Sequence, residues 1–279
     1  MIAAKYKLGI IGCGNMGEAI LRGIVASKIL TPSEICVSDK RSERLKQINN
    51  NYKVPSAKNI SELVCNSEYI LIAVKPQDFN TVILSIKDNF NSSLNKIISV
   101  AAGISTNSIE KRLSGKASVI RIMPNTPALV NKGISAVSRG KYTAKKDIDF
   151  VKEIISSLGQ CIIIDEKFQN TITAISGSGP AYFLLFCKYL IESANKRGID
   201  RKISEQLVMQ TMIGAGEMLK KYKGDTDFLI KMVASPGGTT ERAIAKFNEH
   251  NLNLIISEAV ESAENRAGEI EKEFNDVQK

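Results

Sequence analysis

Short runs rich in β-branched residues alternate with longer stretches of helical character from the start of the chain to about residue 165. Such runs are typical of buried strands, and the alternation is typical of successive parallel βα units. The pattern therefore predicts an α/β fold with a doubly wound sheet. The predicted strands cover residues 7–11, 35–38, 69–74, 97–100, 118–123, 134–137 and 161–164. The predicted helices cover residues 16–27, 42–50, 60–65, 79–89, 106–113 and 145–158.

The pattern changes after Asp165, where the β-branched runs stop and helices separated by glycine-containing turns follow. This change predicts a domain boundary, with an α/β domain at 1–165 and an all-helical domain at 166–279. Two of the predicted helices, 181–194 and 203–219, carry apolar residues on more than one narrow stripe. Because such faces need a partner, we expect the helical domain to form a dimer or a larger homo-oligomer.

The composition is that of a globular protein with a positive charge: 43% of the residues are hydrophobic, 24% are charged and the formal net charge is +9. This charge favours anionic ligands, but the lysines and arginines are scattered along the chain and form no block. The chain has no Trp and its aromatic content is 6%, which leaves little material for stacking on bases. We therefore expect no nucleic-acid partner.

The cysteines and the N-terminus predict a cytoplasmic protein. Five cysteines, an odd number without CxxC spacing, indicate reduced and mostly structural thiols. The chain enters its first predicted strand without the basic region, apolar stretch and cleavage site of a signal peptide. No apolar run approaches the length of a membrane span, so we expect no membrane insertion.

The single histidine, His250, lies in a polar stretch that is typical of a solvated loop. Its isolation argues against histidine-dependent triads, most zinc sites and the histidine acid of many alcohol dehydrogenases. We expect no metal site.

Gly12-Cys-Gly-Asn-Met-Gly17 follows the first predicted strand and opens the first predicted helix. In this context the GxGxxG motif predicts a Rossmann dinucleotide-binding domain. Its glycines permit a tight turn, close approach of the pyrophosphate and close packing of helix on strand. The candidate cofactor-binding residues of this motif are Gly12, Cys13, Gly14, Asn15, Met16 and Gly17.

Asp39 and Arg41 follow the second predicted strand, where a Rossmann domain contacts the adenosine ribose. Asp39 would accept hydrogen bonds from a free 2′-hydroxyl and favours NADH. Arg41, with Lys40 or Arg44, could instead hold the 2′-phosphate of NADPH. The alternative is a polar loop in which Asp39 caps the next helix. Arg41 and the positive charge of the chain favour NADPH, with NADH as the second choice.

Small residues and prolines mark the ends of three further predicted strands, at the carboxyl edge where open α/β sheets bind ligands. Each of these segments could also be an ordinary strand-to-helix turn, but several on one edge favour a nucleotide site. The candidate cofactor-binding residues here are Ala73, Val74, Lys75, Pro76, Ala101, Ala102, Gly103 and Asn125.

The segment Ser235-Pro-Gly-Gly-Thr-Thr240 combines three hydroxyls and two glycines at a predicted helix start. The glycines let the backbone approach a ligand, and Thr239 or Thr240 is predicted to cap the helix. The amides of its first turn would bind a carboxylate or phosphate, although an ordinary capped turn is the alternative. The segment has no strong acid or base, which suits reduction of a protonated cyclic imine better than reduction of a ketone.

Together, these motifs resemble those of the pyrroline-5-carboxylate reductase family. They run in order from Gly12-Cys-Gly-Asn-Met-Gly17 through Ala73-Val-Lys-Pro76, Ala101-Ala-Gly103, Met123-Pro-Asn-Thr-Pro-Ala128 and Ser176-Gly-Ser-Gly-Pro-Ala-Tyr182 to residues 235–240. The resemblance implies NAD(P)H-dependent reduction of 1-pyrroline-5-carboxylate to L-proline, the last step of proline biosynthesis. It also implies an intertwined dimer, with a decamer of dimers in a ring as the larger assembly.

When the family's site residues are matched one by one to this sequence, the resemblance implies that Asn59 also contacts the cofactor. It also implies that Thr240 faces the ring nitrogen as hydrogen-bond partner or proton donor. Asp39 departs from the family pattern, in which NADPH-preferring members have a small hydroxyl residue or asparagine there. The implied substrate-binding residues are Ser235, Gly237, Gly238, Thr239, Thr240 and Glu166.

Two other functions fit parts of the pattern. A β-hydroxyacid dehydrogenase shares the Rossmann and helical plan, but its catalytic lysine would fall near Tyr182 and Phe183, and the nearest lysine is Lys188. A non-catalytic nucleotide-sensing protein of the same fold would not need the second site at residues 235–240.

Overall fold

A computed structural model describes residues 4–113 and 116–276 of the chain. Seven strands of this part of the chain form one sheet in the order β2-β1-β3-β4-β5-β6-β7. The strands are β1 Tyr6–Ile11, β2 Ile35–Ser38, β3 Ser67–Ile72, β4 Lys96–Ser99, β5 Ser118–Met123, β6 Gly133–Arg139 and β7 Gly159–Ile163. The helices are α1 Asn15–Ala26, α2 Ser42–Tyr52, α3 Ile60–Asn66, α4 Pro76–Lys87, α5 Thr106–Arg112, α6 Lys145–Ser156, α7 Gln169–Ile172, α8 Gly179–Asn195, α9 Arg201–Lys221, α10 Thr226–Val233, α11 Thr239–Glu249 and α12 Leu252–Asp276.

Every strand and helix predicted before residue 165 is present, with ends displaced by a few residues. One prediction fails in direction: β6 runs antiparallel to β5, with Val137 opposite Ile122, whereas the alternation predicted parallel units throughout. The reason is the connection at 124–132, which holds a short 3₁₀ turn, Thr126–Val130. A parallel crossover requires about a dozen residues or more, so this connection allows a reversal and no crossover.

The sheet reverses its strand order at β1. This strand pairs in parallel with β2 on one side and with β3 on the other, so that Ile11 lies beside both Ser38 and Ile72. In open α/β sheets such a reversal leaves a crevice at the carboxyl ends of the strands.

Helices cover both faces of the sheet and bury its apolar strands. On one face, Ile20 and Ile24 of α1 and Ile154 of α6 are buried against the strands. On the other face, Phe79 and Ile83 of α4 are buried in a second cluster. The two clusters correspond to the two helical layers of a doubly wound fold, and this predicted fold class is confirmed.

The chain forms two compact units. The first extends to Ser178 and resumes at Ser262, and the second is Gly179–Glu261. The sequence pattern instead assigned everything after residue 165 to the helical domain. The two divisions differ because the pattern marks the change from strands to helices, whereas compactness follows the packing of the folded chain.

The last turns of α12 pack against α4 and α5 in the first unit. Phe274 is buried, and its ring meets the ring of Phe79 edge to face at a centroid distance of 5.4 Å. The buried Arg112 guanidinium lies 3.6 Å from the centroid of the Phe274 ring and donates a hydrogen bond to the Phe274 carbonyl. Ser108 Oγ donates to Asn275 Oδ1 at 2.8 Å. The last turns of α12 therefore cover part of the apolar face formed by α4 and α5.

The helical segment Glu166–Asn195 is long and apolar enough to cross a membrane by length and composition. Only 11% of its apolar 18-residue stretch is buried. The expectation that no run approaches this length is wrong here, because small and uncharged polar residues extend the window without adding charge. The Ser176–Tyr182 motif is helical rather than one of the glycine-containing turns expected after Asp165: α7 continues through a π-helical stretch, Thr173–Gly177, before α8 begins.

The second unit exposes large apolar side chains on several of its helices. Phe183, at 64%, is among the most exposed of them. An apolar surface of this kind in a globular chain marks a contact with another molecule. The exposed apolar residues of α8, α9 and α12 include Phe183, Leu184, Leu185, Phe186, Tyr189, Leu190, Ile203, Leu207, Met209, Ile213, Leu254, Ile255 and Ile256.

Candidate functional site

A cleft of about 1160 Å³ opens at the carboxyl ends of β1, β2 and β3, where the strand order reverses. This is the edge at which α/β sheets bind nucleotides. The predicted cofactor-binding residues that line it are Gly12, Gly14, Asn15, Met16, Asp39, Arg41, Asn59, Ala73, Val74 and Lys75.

The glycines of the first turn have distinct steric requirements. Gly12 has φ +95°, and a Cβ there would lie 2.7 Å from the Ala73 carbonyl oxygen. A Cβ on Gly17 would lie 2.1 Å from the Gly12 carbonyl oxygen, so only glycine permits this packing of α1 on the turn. Around Gly14, the N-cap of α1, no described atom outside the adjoining backbone lies within 4 Å of the position of a Cβ. The backbone at Gly14 is therefore open to a ligand.

Cys13 is buried within this turn and does not line the cleft. Its amide donates to Asp39 Oδ2 at 2.8 Å, and its carbonyl accepts a hydrogen bond from Arg44 Nε at 2.7 Å. Burial raises the pKa of the Cys13 thiol to about 12, so the thiol is neutral and unreactive at neutral pH. The contribution of Cys13 to the turn is thus made by its backbone.

Asp39 lies at the end of β2 and its carboxylate is held by several donors. Arg41 donates from its backbone amide and from Nε to Oδ1, both at 2.9 Å, and from Nη2 to Oδ2 at 3.0 Å. The carboxylate side chain is 5% exposed. Burial alone would raise the pKa of Asp39, but the bonds from Arg41 and the Cys13 amide outweigh it and lower the pKa. Asp39 is therefore an anion at neutral pH.

The remaining predicted cofactor residues do not line the cleft. Pro76 begins α4. Ala101 and Gly103 are buried at the end of β4, where a Cβ on Gly103 would lie 2.7 Å from the Ala267 carbonyl oxygen. The residues concerned are Cys13, Gly17, Pro76, Ala101, Ala102, Gly103 and Asn125.

Asn125 is engaged in the β5–β6 connection. It is buried, and its Oδ1 accepts a hydrogen bond from the Ile134 amide at 3.0 Å. Its side chain therefore closes this reversal of the chain, and its predicted contact with the cofactor remains a prediction.

Glu166 lies in the segment after the sheet, and its side chain contacts the start of α5. Its two carboxylate oxygens accept hydrogen bonds from the amide and hydroxyl of Thr106, at 2.7 and 2.5 Å. The buried Arg121 of β5 lies 3.6 Å from Glu166 Oε1 and also bonds Asn170. Both oxygens of Glu166 are thus engaged within the first unit, and its predicted contact with substrate remains a prediction.

The Ser235–Thr240 segment of the second unit begins α11 differently from the prediction. Gly238 is the N-cap, Thr239 and Thr240 are the first helical residues, and the N-cap position makes no side-chain capping bond. The prediction that Thr239 or Thr240 caps the helix is therefore wrong. The Gly238 amide donates to the Ser235 carbonyl at 2.9 Å, and this tight turn brings a glycine to the cap position.

Two consequences follow for the chemistry of this turn. Neither threonine hydroxyl serves as a cap, and Thr240 is partly buried. Gly237, with φ +70°, is held by Glu241, whose Oε2 accepts from the Gly237 amide at 2.7 Å. The first turn of α11 therefore offers amides and hydroxyls to a ligand of negative charge.

His250 ends α11 as an exposed C-cap residue. Within the described residues, no group of three or more His, Cys, Asp and Glu side chains is placed to hold a metal ion.

Comparison with known proteins identifies the family. A model described as pyrroline-5-carboxylate reductase dimerisation matches residues 166–270, and one described as NADP oxidoreductase coenzyme F420-dependent matches residues 7–103. The pyrroline-5-carboxylate reductase of Synechocystis is 35% identical to this chain, over 96% of this chain and 99% of its own length. Pyrroline-5-carboxylate reductase 2 of Bacillus subtilis is 32% identical over 96% of both. This chain belongs to the pyrroline-5-carboxylate reductase family.

Solved structures of pyrroline-5-carboxylate reductases share the fold throughout. The Plasmodium falciparum enzyme with NADP bound has a TM-score of 0.85 and 30% identity, covering 97% of this chain and all of its own. The Coxiella burnetii enzyme has a TM-score of 0.87 and 31% identity, covering 95% of this chain and 98% of its own. The predicted family is confirmed, and so is the Rossmann sheet followed by a helical dimerisation domain.

The cleft of this family member fits a dinucleotide. The open position at Gly14 lies at the N-terminus of α1, where the first-turn amides of a helix could hold a pyrophosphate. Sequence reasoning missed part of the lining. Sequence signals existed for Lys58, Ile60 and Ser61, which flank Asn59, the cap of α3, and for Pro124, which lies in the Met123–Ala128 motif. Lys40, considered from sequence for the 2′-phosphate, also lines the cleft, and the missed lining residues are Ile11, Ser38, Lys58, Ile60, Ser61, Asp78, Thr81, Val82, Ser85, Val100 and Pro124.

Proposed function

We propose that this chain reduces the C=N bond of 1-pyrroline-5-carboxylate to L-proline, with NAD(P)H as the hydride donor. The observation that carries this proposal is the backbone-capped start of α11, which offers amides and two threonine hydroxyls, while its first-turn carboxylate, Glu241, accepts a hydrogen bond from the Gly237 amide. The same chain has a dinucleotide cleft of the Rossmann kind. Its membership of the reductase family, over nearly its full length, names the substrate class.

The substrate carboxylate binds at the first turn of α11. The amides that follow the Gly238 cap face a ligand, and the positive end of the helix dipole favours a negative group. Glu241 holds the Gly237 amide in the turn and keeps its shape. The substrate-binding residues in this proposal are Ser235, Gly237, Gly238, Thr239 and Thr240.

Thr240 acts at the ring nitrogen. Bound NAD(P)H supplies the hydride that adds to the imine carbon, and the C=N π electrons become the nitrogen lone pair. Thr240 Oγ1 hydrogen-bonds that nitrogen and helps to hold its proton. Because a protonated imine already carries positive charge, a hydroxyl suffices where a ketone would require a stronger acid.

The cofactor lies along the carboxyl edge of β1, β2 and β3. The Gly14 backbone and the N-terminus of α1 hold the pyrophosphate, and Asp39 lies beside the adenosine ribose. Val74 and Lys75 extend the lining after β3.

Self-association covers the apolar surface of the second unit. The dimerisation family model spans residues 166–270, which include the exposed apolar residues of α8 and α9. We infer that a second copy, and no bilayer, covers the apolar helix Glu166–Asn195, and that dimers assemble further into a ring. The odd number of cysteines and the inert Cys13 thiol support a cytoplasmic location.

The proposal is tested by the loss of reduced-nicotinamide absorbance when purified protein is mixed with pyrroline-5-carboxylate. We expect turnover with this substrate and none in the oxidative direction with 3-hydroxy acids. Cofactor binding without turnover would instead indicate a nucleotide-sensing protein, and oxidation of hydroxy acids would indicate a dehydrogenase of the β-hydroxyacid type.

Thr240→Ala should lower kcat about 100-fold, since loss of a positioned proton donor or hydrogen bond to a developing charge has that scale. Cofactor affinity should stay unchanged, because Thr240 does not line the cleft. Thr211→Ala is the matched control, since Thr211 is exposed and its hydroxyl bonds the Leu207 carbonyl of its own helix at 2.8 Å. Equal turnover in the two variants would remove Thr240 from the reaction.

A further inference from the structure

Three cations near the end of β2 could meet the 2′-phosphate of NADPH: Lys40, Arg41 and Arg44. Arg41 is committed to Asp39 by two parallel side-chain bonds, from Nε to Oδ1 at 2.9 Å and from Nη2 to Oδ2 at 3.0 Å. Such bidentate pairs are among the stronger charged contacts in proteins. Arg41 must give up this pair before its guanidinium can turn to a phosphate.

The other two cations are also paired with carboxylates. Lys40 Nζ lies 3.0 Å from both oxygens of Asp78. Arg44 bonds Glu18 and donates from Nε to the Cys13 carbonyl at 2.7 Å. Arg44 therefore stabilises the glycine-rich turn and does not line the cleft.

Asp39 itself disfavours a phosphate. Its carboxylate is anionic at neutral pH and lines the cleft at the end of β2. The carboxylate cannot turn away freely, because its Oδ2 accepts a hydrogen bond from the Cys13 amide of the glycine-rich turn. A 2′-phosphate placed here would meet a fixed negative charge, whereas ribose hydroxyls can replace the Arg41 side chain as donors to Asp39.

We propose that this chain binds NADH more tightly than NADPH, and that the Asp39–Arg41 pair sets this preference. The inference rests on the proposed function for the class of cofactor alone. This proposal reverses the preference for NADPH that Arg41 and the net charge indicated from sequence. The reason is that Lys40, Arg41 and Arg44 are each paired with a carboxylate of this chain. Lys58 is the competing candidate: it lines the cleft, and within the described residues it forms no ion pair.

The test is a direct titration of NADH and of NADPH, without substrate, followed by the emission of the reduced nicotinamide. The chain has no Trp, so this emission is read without tryptophan background. We expect the Kd for NADH to be lower by about tenfold, the effect of roughly one lost favourable charge contact. Tighter binding of NADPH, or binding of neither cofactor, would overturn the proposal whether or not the protein reduces pyrroline-5-carboxylate.

Asp39→Asn identifies the residue responsible. It removes the fixed charge and frees Arg41, so the Kd ratio should move toward NADPH by about tenfold or more. The control is Glu43→Gln, which makes the same change of charge at an exposed position outside the cleft lining and should leave the ratio unchanged. An unchanged ratio in folded Asp39→Asn would overturn the role of the pair. Should wild type prefer NADPH and Lys58→Ala abolish that preference, Lys58 is the phosphate ligand and the proposal is wrong.

Discussion

At the scale of single residues, two glycines of the same turn serve opposite purposes. Gly17 makes room for the protein's own backbone, since a Cβ there would lie 2.1 Å from the Gly12 carbonyl oxygen. Gly14 leaves room for a ligand, since no described atom outside the adjoining backbone lies within 4 Å of the corresponding Cβ position. The motif thus contains one residue required for folding and one available to the ligand.

Alanine substitutions should separate these two roles. Gly17→Ala should lower the free energy of unfolding by about 1–3 kcal/mol, because a backbone atom must move to admit the methyl group. Gly14→Ala should change stability by less than about 0.5 kcal/mol yet weaken dinucleotide binding about tenfold, because the methyl group occupies the path of the pyrophosphate. Urea unfolding and cofactor titration of both variants measure this, and matching effects in the two would contradict it.

At the scale of elements, α12 belongs to two environments. Its first part lies in the helical unit, and its last turns pack with the sheet unit through Phe274 and Ala267, both buried. The glycine at position 103 is required here, since its Cβ position lies 2.7 Å from the Ala267 carbonyl oxygen. The last element of the chain thereby supports the loop that follows β4.

Phe274→Ala should lower the free energy of unfolding by about 3–5 kcal/mol, because the lost ring leaves a cavity beside Phe79 and removes the contact with Arg112. Lys272→Ala, at an exposed position of the same turn, should change it by less than about 0.5 kcal/mol. Denaturant unfolding measures both. Equal stability of the two variants would mean that the last turn does not contribute to the first unit.

At the scale of the whole molecule, the second unit is incomplete as a single copy. Its helices expose Phe183 at 64%, Leu184 at 63% and Tyr189 at 56%. The match to a dimerisation family over residues 166–270 explains this surface as a contact with a second copy. In the self-association that we propose, the apolar character that would suit a bilayer is an interface property.

Phe183→Glu should shift the protein toward monomer, because a charge would have to be buried in the interface. Lys196→Glu, at an exposed position beyond the end of α8, is the control and should remain oligomeric. Sedimentation velocity gives the masses, and flotation with phosphatidylcholine vesicles tests the membrane alternative. Wild-type protein that floats with the vesicles, or Phe183→Glu that sediments as wild type does, would contradict the dimer.

Local patterns predicted most of this structure, and contacts distant in sequence account for what they missed. The strands and the glycine-rich turn are encoded by β-branched runs and by residues that are neighbours in the chain. The position of Asp39 in the cleft, directly after β2, could be predicted in this way, but the bidentate pairing of Arg41 with that carboxylate could not. Three other features depend on turn geometry and tertiary packing, which leave no periodic pattern in the sequence. They are the Gly238 cap, the hydrogen bonds between Thr106 and Glu166, and the antiparallel direction of β6.

Because residues from Ser262 onward belong to the first unit, that unit stays incomplete until the end of synthesis. Synthesis proceeds from the N-terminus, so the sheet is complete well before the segment that covers α4 and α5 exists. Until Phe274 arrives, Phe79 and its neighbours lack part of their apolar surroundings. A nascent chain stalled before residue 262 should therefore hold a nucleotide-binding unit with one face uncovered. Transiently exposed apolar surface of this kind makes a partly synthesised chain prone to aggregation.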